Sequence, residues 1–405
     1  MAIGPHDFLE NATIRKVNYL KHHKLYPYFR AIESNTASTV VVNHEESVMI
    51  GSNNYLGLTH HPYVVEKAIK AIEKFGTGCT GSRFLNGNFS IHEELEERLA
   101  RFMGHESALV YSTGMQVNLG SISALIGPRD CAFTDQENHA SILDAHRLSL
   151  GDTFKYKHHN MKELEELLQA NQSRYKKMLI VTDGVFSMTG DVANLPAICK
   201  LAKQYGAYVY VDDAHGLGVL GRNGRGTADS FDLTSQTDFV MGTFSKSFAS
   251  IGGFISGSRE SIDYLRHLSR TFIFSAALPP SAVGTIIGCL DLMEKDNSLF
   301  ENLWDNTHFM MKGLKDIGYN TLNSSTPIIP LLIGDELKVM KITKFLEDHH
   351  VFATPVIPPA APIGMSLIRT SYSAAHKRSE LQYCLDVLEK AYQLFRPYEV
   401  ETHAP

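Results

Sequence analysis

Between about residues 51 and 278, short apolar runs alternate with stretches in which apolar residues recur every three or four positions. This alternation is typical of a sheet whose strands are connected by helices. The runs are rich in β-branched and aromatic residues and are bounded by glycine or aspartate, which favours buried parallel strands. The predicted strands are residues 108–111, 178–182, 208–212, 239–242 and 253–256, with a further short strand near 131–134.

One helix in this region has clear signals at both ends. Ser90 and Glu93 match a capping box, and Gly104 follows the last apolar residue of the stretch. The apolar residues that share one face are Ile91, Leu95, Leu99 and Phe102. We therefore expect a helix that is capped by Ser90, ends before Gly104 and packs on the sheet.

The two ends of the chain differ from this middle part. Residues 1–47 contain only a short helical stretch at 14–21, and after about residue 285 a smaller α+β pattern follows. The elements of that pattern are strands at 326–333 and 366–371 and helices at 336–350 and 379–395. The predicted divisions are an N-terminal arm (1–47), a large domain (48–285) and a small C-terminal α+β domain (286–405).

The composition is that of an ordinary globular protein, since 43% of the 405 residues are hydrophobic and 20% are charged. The formal net charge of −6 gives no basic field that would attract nucleic acid. The five cysteines form no CxxC pair, so neither a zinc site nor a redox motif is expected. The N-terminal segment has no apolar run as long as those of signal peptides or membrane helices. We therefore predict a cytoplasmic protein with at most peripheral membrane contact.

Candidate chemical groups follow two of the predicted strands. Lys246 comes shortly after strand 239–242, and Asp212 and His215 come at the end of strand 208–212. Ligands of open α/β sheets bind at the carboxyl ends of strands. A carboxylate can keep a pyridine nitrogen protonated and an imidazole can bind a phenolic oxygen, which suits pyridoxal phosphate (PLP). A single lysine is more often solvated than catalytic, and Asp212 and His215 could equally be a helix cap and a loop histidine.

Two segments suit a phosphate group. Thr243 and Ser245 flank the lysine together with the glycines at 252–253, which allow a phosphate and the backbone to approach closely. Residues 112–115 follow strand 108–111 and open a helical stretch, whose free N–H groups can bind phosphate. An ordinary helix cap is the commoner role of such a segment.

The histidines offer one candidate site residue and several weaker ones. His139 follows the short strand near 131–134 and could stack on a flat cofactor, although a lone histidine is usually structural. Four pairs are adjacent in sequence: His22 with His23, His60 with His61, His158 with His159, and His349 with His350. Adjacent side chains point apart on helices and strands, so these pairs are expected to be poor metal ligands, and no metal is predicted.

Residues 216–221 match the pattern GxGxxG, and they follow a strand as the dinucleotide-binding fingerprint requires. The next residues, RNGRGT, have the composition of a loop, whereas that fingerprint must open a helix. Dinucleotide binding is therefore not expected.

Several separated segments resemble, in order, the α-oxoamine synthases, a branch of the fold type I PLP enzymes with the architecture of aspartate aminotransferase. The segments are 51–57 (GSNNYLG), 111–114 (YSTG), 138–141 (NHAS), 183–188 (DGVFSM), 212–215 (DDAH), 243–246 (TFSK) and 366–369 (SLIR). Several motifs in order are more specific than any one alone. The resemblance implies an α/β fold with a mostly parallel central sheet, and PLP as the cofactor.

The resemblance also implies roles for individual residues. Lys246 would carry PLP through a Schiff base, Asp212 would bind the pyridine nitrogen and His139 would stack over the ring. His215 and Ser187 would bind the phenolic oxygen. The residues implied at the phosphate are Ser112, Thr113, Gly114, Met115, Thr243 and Ser245, with Ser275 reaching the cofactor of the other subunit in a homodimer. Those implied at the substrate are Asn53, Tyr55, His139 and Arg369, of which the arginine suits a carboxylate.

Within this family, residues 76–87 (GTGCTGSRFLNG) resemble the bacterial serine palmitoyltransferase branch, whereas glycine and alanine users usually have a more glycine-rich segment. This likeness implies condensation of L-serine with a long-chain acyl-CoA such as palmitoyl-CoA, giving 3-ketosphinganine, CoA and CO2. Val356 and Ile357 stand where some bacterial members have an arginine. The alternatives are a family member that uses cysteate, glycine or alanine, and a noncatalytic partner subunit, although such subunits lack the cofactor lysine.

Overall fold

The computed structural model describes residues 11–396, which begin with helix α1 (Ala12–His22). The Asn11 side chain caps this helix by accepting a hydrogen bond from the Ile14 N–H at 3.0 Å. A small antiparallel sheet follows, made of β1 (Ser34–Asn35), β2 (Thr39–Val42) and β3 (Glu45–Met49). The helix predicted at 14–21 is therefore present.

Helices α2 (Pro62–Phe75) and α3 (Ser90–Met103) come next, and the start of α3 differs from the prediction. The cap residue is Phe89, whose N–H donates to His92 Nδ1 at 3.1 Å. Ser90 is the first helical residue, and Glu93 instead accepts from the Asn88 side chain at 2.8 Å. The predicted Ser90–Glu93 capping box is wrong because the imidazole takes the place of the expected carboxylate. Gly104 does end the helix, in a left-handed conformation.

The central sheet contains every strand that the apolar runs predict. Its strands are β4 (Ser107–Tyr111), β5 (Cys131–Asp135), β6 (Asp152–Tyr156), β7 (Met178–Asp183), β8 (Tyr208–Asp212), β9 (Phe239–Thr243) and β10 (Gly253–Gly257), in the spatial order β4-β10-β9-β8-β7-β5-β6. All run parallel except β10, which is antiparallel to both of its neighbours. The prediction of a parallel strand at 253–256 is wrong because β9 and β10 are joined by a short loop, without the crossover that parallel neighbours need.

Helices cover both faces of this sheet. They are α4 (Gly114–Leu125), α5 (Ala140–Leu148), α6 (Met161–Asn171), α7 (Leu195–Tyr205), α8 (Thr227–Ser230), α9 (Arg259–Leu268), α10 (Arg270–Ile273) and α11 (Pro280–Lys295). Successive residues of β8 pack into different clusters: Tyr210 lies with residues of α4 and α5, and Val211 with residues of α6 and α7. Burial on both sides explains why the strands of this sheet are continuously apolar.

The C-terminal part forms a separate apolar cluster around a second antiparallel sheet. Its elements are α12 (Ser298–Ile317), β11 (Ile328–Gly334), α13 (Glu336–Asp348), β12 (Val351–Phe352), β13 (Thr354–Val356), β14 (Ser366–Ser371) and α14 (Arg378–Phe395). Strand β12 pairs in parallel with β3, which ties the N-terminal sheet to this unit. The predicted boundaries after residues 47 and 285 fall within β3 and α11, and the division into domains stays a prediction. Within residues 11–396, no helix is both long enough and apolar enough to cross a membrane.

Candidate active site

A cavity of about 340 Å³ opens at the carboxyl ends of the parallel strands. The sequence-predicted residues that line it are Thr113, Gly114, Met115, His139, Ser187, Asp212, His215, Thr243, Ser245 and Lys246. The other lining residues are Ser141, Asp183, Val185, Ala214, Met241, Ile251 and Gly252. Loops that follow five different strands therefore converge on one space, as expected for a ligand site of this sheet type.

Lys246 lies just past the end of β9 and its amine faces this cavity. Burial lowers the pKa of the Lys246 amine from its ordinary value of 10.5 to about 8. The Arg369 charge lowers this pKa further, while Asp212 and Asp183 oppose the shift. A lysine with a lowered pKa has a larger neutral fraction near neutral pH, and only the neutral amine can act as a nucleophile or a base.

Asp212 is the last residue of β8, and its buried carboxylate is held by two donors. Asn118 Nδ2 donates to one oxygen at 2.6 Å, and the Ala214 N–H donates to the other at 3.1 Å. Asn118, which is fully buried in α4, was not among the predicted site residues. An amide on the buried face of an otherwise apolar helix was the available signal, since buried polar groups need partners.

A second buried carboxylate, Asp183, lines the same cavity at the end of β7. It accepts a hydrogen bond from the His139 N–H at 3.0 Å, which fixes the start of α5. Burial, followed by the nearby charge of Asp212, raises the pKa of Asp183 well above its ordinary value. Its segment was part of the family resemblance, but the sequence assigned this residue no role.

His215 contacts Tyr55, a residue far from it in sequence. The distance from His215 Nδ1 to the Tyr55 hydroxyl is 2.7 Å, and both side chains are buried. Burial lowers the pKa of His215 well below its ordinary value, and the charges of Lys246 and Arg369 add to this effect. Burial raises the pKa of the Tyr55 hydroxyl. The Tyr55 hydroxyl therefore supports the imidazole from outside the cavity wall.

Arg369 lies in β14 and reaches from the C-terminal unit toward the large sheet. Its Nε donates to the Ser187 carbonyl at 2.7 Å, and its Nη2 donates to Asn53 Oδ1 at 2.9 Å. Of the four residues predicted at the substrate, only His139 lines the cavity. Asn53, Tyr55 and Arg369 form a layer behind it.

The amino end of α4 provides the anion-binding geometry that the sequence suggested. Thr113 caps the helix by accepting the Gln116 N–H at 3.1 Å. The N–H groups of Gly114 and Met115 belong to the first turn, where no intrahelical acceptor is available. A Cβ on Gly114 would lie 2.8 Å from Thr243 Oγ1, so only glycine leaves this approach open. The site therefore fits a phosphate next to Thr243.

Two residues predicted at the phosphate do not line the cavity. The Ser112 hydroxyl donates to the Ala276 carbonyl, and Ser275 Oγ accepts from Gln116 Nε2 at 2.9 Å. Both contacts join the end of β4 and the start of α4 to the segment that follows α10. Their predicted roles stay predictions.

The adjacent residues His158 and His159 converge, contrary to the prediction that they point apart. Their Nε2 atoms lie 2.9 Å and 2.6 Å from the same oxygen of Asp191, and His158 Nδ1 lies 3.1 Å from Asp135 Oδ1. They follow β6 in a turn where His159 is left-handed, so the alternation of a strand does not apply. We call His158, His159, Asp135 and Asp191 the histidine clamp, and three of them, His158, His159 and Asp191, lie close enough to one another to surround a metal ion. Three of the four ring nitrogens, all but His159 Nδ1, already face a carboxylate oxygen.

The GxGxxG segment has a structural role. A short 3-10 helix, Arg222–Gly224, follows it where a dinucleotide fold would have an α-helix. A Cβ on Gly216 would lie 1.9 Å from Asp213 Oδ1, so this glycine makes room for a buried carboxylate. Asp213 accepts hydrogen bonds from the Thr227 N–H and hydroxyl, both at 2.6 Å, and burial raises its pKa to about 7.

The model of the class I and II aminotransferases matches residues 45–388. The chain belongs to this family. It is 60% identical to the serine palmitoyltransferase of Bacteriovorax stolpii over 97% of this chain and 93% of that protein. It is 42% identical to the 8-amino-7-oxononanoate synthase of Thermoanaerobacter pseudethanolicus, over 93% of this chain and 95% of that protein.

A solved serine palmitoyltransferase of S. paucimobilis with bound PLP–myriocin aldimine superposes with a TM-score of 0.91. The two chains are 33% identical, and the match covers 95% of this chain and 98% of the other. The predicted resemblance to the α-oxoamine synthases and the predicted fold type I architecture are both confirmed.

Proposed function

We propose that the protein is a PLP-dependent serine palmitoyltransferase that condenses L-serine with a long-chain acyl-CoA. The products are 3-ketosphinganine, CoA and CO2. The observation that carries the proposal is the convergence of Lys246, Asp212, His139 and the amino end of α4 on one cavity. The 60% identity to a serine palmitoyltransferase, against 42% to a synthase of another branch, supports the choice of substrate.

The residues around the cavity fit PLP group by group. Lys246 would be joined to the cofactor aldehyde carbon, Asp212 would face the ring nitrogen, and His139 would stack on the ring. His215 and Ser187 would bind the phenolic oxygen. Of the residues predicted at the phosphate, Thr113, Gly114, Met115, Thr243 and Ser245 line the cavity and would bind it, while a contact from Ser112 stays a prediction. Bound there, PLP supplies an electron sink for the electron pair left when a bond at the amino acid Cα breaks.

The protein side chains then position serine and move its proton. His139 faces the cavity and would hold the serine carboxylate, so that the Cα–H bond is presented to Lys246. Once free, the Lys246 amine would take the proton from Cα and later return one, a role that its lowered pKa suits. Arg369 donates hydrogen bonds to Ser187 and Asn53. We assign it two roles: it positions these two residues, and its positive charge attracts the serine carboxylate.

We propose a homodimer, in which Ser275 of each chain reaches the phosphate bound by the other. Large apolar side chains at positions 84, 85 and 274 support a protein partner, since Phe84, Leu85 and Phe274 are 53%, 80% and 73% exposed. Exposed apolar side chains of this size are common at protein–protein interfaces. We place the enzyme in the cytoplasm with at most peripheral membrane contact, which a long-chain acyl substrate would favour.

The experiment that tests this function supplies the purified holoenzyme with serine, cysteate, glycine or alanine and with palmitoyl-CoA or a shorter acyl-CoA. Mass spectrometry identifies the product. We expect 3-ketosphinganine from serine and palmitoyl-CoA as the main product. A product formed only from alanine and a short acyl-CoA would instead assign the chain to the synthase branch. Absence of bound PLP in the purified protein would favour the noncatalytic subunit.

A further inference from the structure

Buried hydrogen bonds connect two groups that would both contact the ring of the cofactor, His139 and Asp212. Ser141 Oγ lies 2.7 Å from His139 Nδ1, and Asn118 Nδ2 donates to Ser141 Oγ at 2.9 Å. The same nitrogen of Asn118 donates to Asp212 Oδ2 at 2.6 Å. Asn118 and Ser141 are almost completely buried, so water does not compete for these bonds.

The direction of each bond in this chain is fixed by what each group can donate. The amide nitrogen of Asn118 has two hydrogens, and both are used, one on Asp212 and one on Ser141. The amide orientation is fixed as well, because Asn118 Oδ1 accepts from the Tyr210 hydroxyl at 2.9 Å. Ser141 Oγ is therefore an acceptor toward Asn118, and its own hydrogen is free for His139.

This arrangement determines which nitrogen of His139 carries the proton. The Ser141 hydroxyl donates to Nδ1, and the Ser141 backbone N–H points at the same atom at 3.3 Å. A nitrogen that faces two donors must be the acceptor, so the ring proton lies on Nε2. The Nε2–H group is the one left to act as a donor in the cavity.

We infer that Asn118 and Ser141 are positioning residues that hold His139 as its Nε2–H tautomer and couple it to Asp212. The inference rests on the proposed function, in which His139 binds the serine carboxylate. A carboxylate needs a donor, and the opposite tautomer would present it with a lone pair. The same amide that sets this donor also orients the carboxylate at the ring nitrogen, so one buried residue serves both sides of the site.

The first test is the substitution Ser141→Ala in the holoenzyme, which removes one hydroxyl and little volume. We expect the Kd for serine, measured by spectral titration, to rise by roughly five- to tenfold, the effect of about one hydrogen bond. The KM for palmitoyl-CoA should stay within about twofold, because the hydroxyl acts only through His139. The matched control is Ser123→Ala, since the Ser123 hydroxyl bonds to the Leu119 carbonyl within α4 and does not line the cavity. Its serine Kd should be unchanged.

The second test observes the tautomer directly, by NMR of holoenzyme labelled with ring-15N histidine. The His139 signals are assigned by their loss in His139→Gln, and the expected pattern is a protonated Nε2 with an unprotonated Nδ1. In Ser141→Ala the tautomer with its proton on Nδ1 should become populated. A wild-type His139 with its proton on Nδ1 would overturn the inference, as would equal serine binding by Ser141→Ala and wild type. Failure of the wild-type enzyme to bind serine at all would instead contradict the proposed function.

Discussion

Two groups of histidines and carboxylates lie near the carboxyl ends of the central strands. The surroundings stabilise the charged forms in one group and disfavour them in the other. In the histidine clamp, each interacting ring nitrogen meets a carboxylate within 3.1 Å. Burial alone would lower the pKa of His158, but hydrogen bonds to Asp135 and Asp191 outweigh it and raise the pKa to about 10. Burial would raise the pKa of Asp191, yet its bonds to His158, His159 and Thr189 lower it.

In the cavity, burial has a larger effect on the pKa values than interactions with neighbouring groups have. It lowers the pKa values of Lys246 and His215 and raises that of Asp183. These side chains line an open space, and their close hydrogen-bond partners are neutral groups, whereas the clamp pairs imidazoles with carboxylates. The loop at 184–193 joins the two groups, because Ser187 lines the cavity and Asp191 belongs to the clamp. The comparison teaches that paired charges hold this loop in place, while unpaired buried groups remain available for chemistry.

The largest expected effect comes from removing the amine itself. Lys246→Ala should lower the turnover of serine and palmitoyl-CoA by roughly 10³-fold or more, because the base that moves the Cα proton is lost. Product formation and cofactor absorbance measure this. The control is Lys177→Ala. Lys177 precedes the amino end of β7, away from the cavity, and its amine donates to the Leu125 carbonyl at 3.2 Å. If Lys246→Ala kept both turnover and the absorbance of a lysine-bound cofactor, the contrast between the two groups would fail.

A smaller effect, on stability and not on chemistry, is expected in the clamp. Asp191→Asn should lower the free energy of unfolding by about 1–2 kcal/mol, because it removes the negative charge that two partly buried imidazoles share. Turnover should fall by less than about tenfold, through loosening of the loop that carries Ser187. Urea unfolding monitored by fluorescence measures the change.

The control for this substitution is Asp144→Asn, which breaks an exposed pair with Arg147. Its effect should stay within about 0.5 kcal/mol. If the Asp191→Asn protein were as stable as the wild type, the histidine clamp would not contribute to the stability of the fold.

The fold was predictable where burial dictates the sequence. The apolar runs of β4, β8 and β9 predict those strands to within one residue at either end. Strand β6 (Asp152–Tyr156) was missed because it lies at the sheet edge, where Asp152 and Lys155 are exposed and no apolar run marks it. The direction of β10 was also missed, since it depends on the loop that precedes it and not on the strand.

The candidate site was predictable where a residue lies at or shortly after the carboxyl end of a strand, as Asp212 and Lys246 do, because the carboxyl ends of parallel strands lie on the same side of the sheet. Contacts between distant parts of the chain gave no comparable signal. Arg369 meets Ser187 only through the packing of the C-terminal unit on the large sheet, and Tyr55 meets His215 through the packing of the segment before α2 on that sheet. The convergence of His158 and His159 depends on one left-handed residue, which a strand or helix pattern does not predict.

The smallest expected effect is a difference in how the two groups make stability depend on pH in the cofactor-free protein. For His158, the folded pKa of about 10 lies above the ordinary value of 6.5. Its contribution is therefore complete below about pH 6.5 and is lost as the pH rises through 10, because the folded state binds more protons in between. For Lys246, the folded pKa of about 8 lies below 10.5, so the unfolded state binds more protons between these values and stability rises with pH.

The two substitutions His158→Gln and Lys246→Met should therefore change the pH slope of the unfolding free energy in opposite directions. Urea unfolding at pH 7, 8.5 and 10 measures the slopes, with changes on the order of 1 kcal/mol across the range. Lys246→Met should also be more stable than the wild type at pH 7, since it no longer keeps an amine in a site that disfavours its charge. Slopes that shift in the same direction would mean that one electrostatic regime governs both groups. The distinction between the histidine clamp, which stabilises its loop, and the cavity residues, which carry the chemistry, would then have to rest on geometry alone.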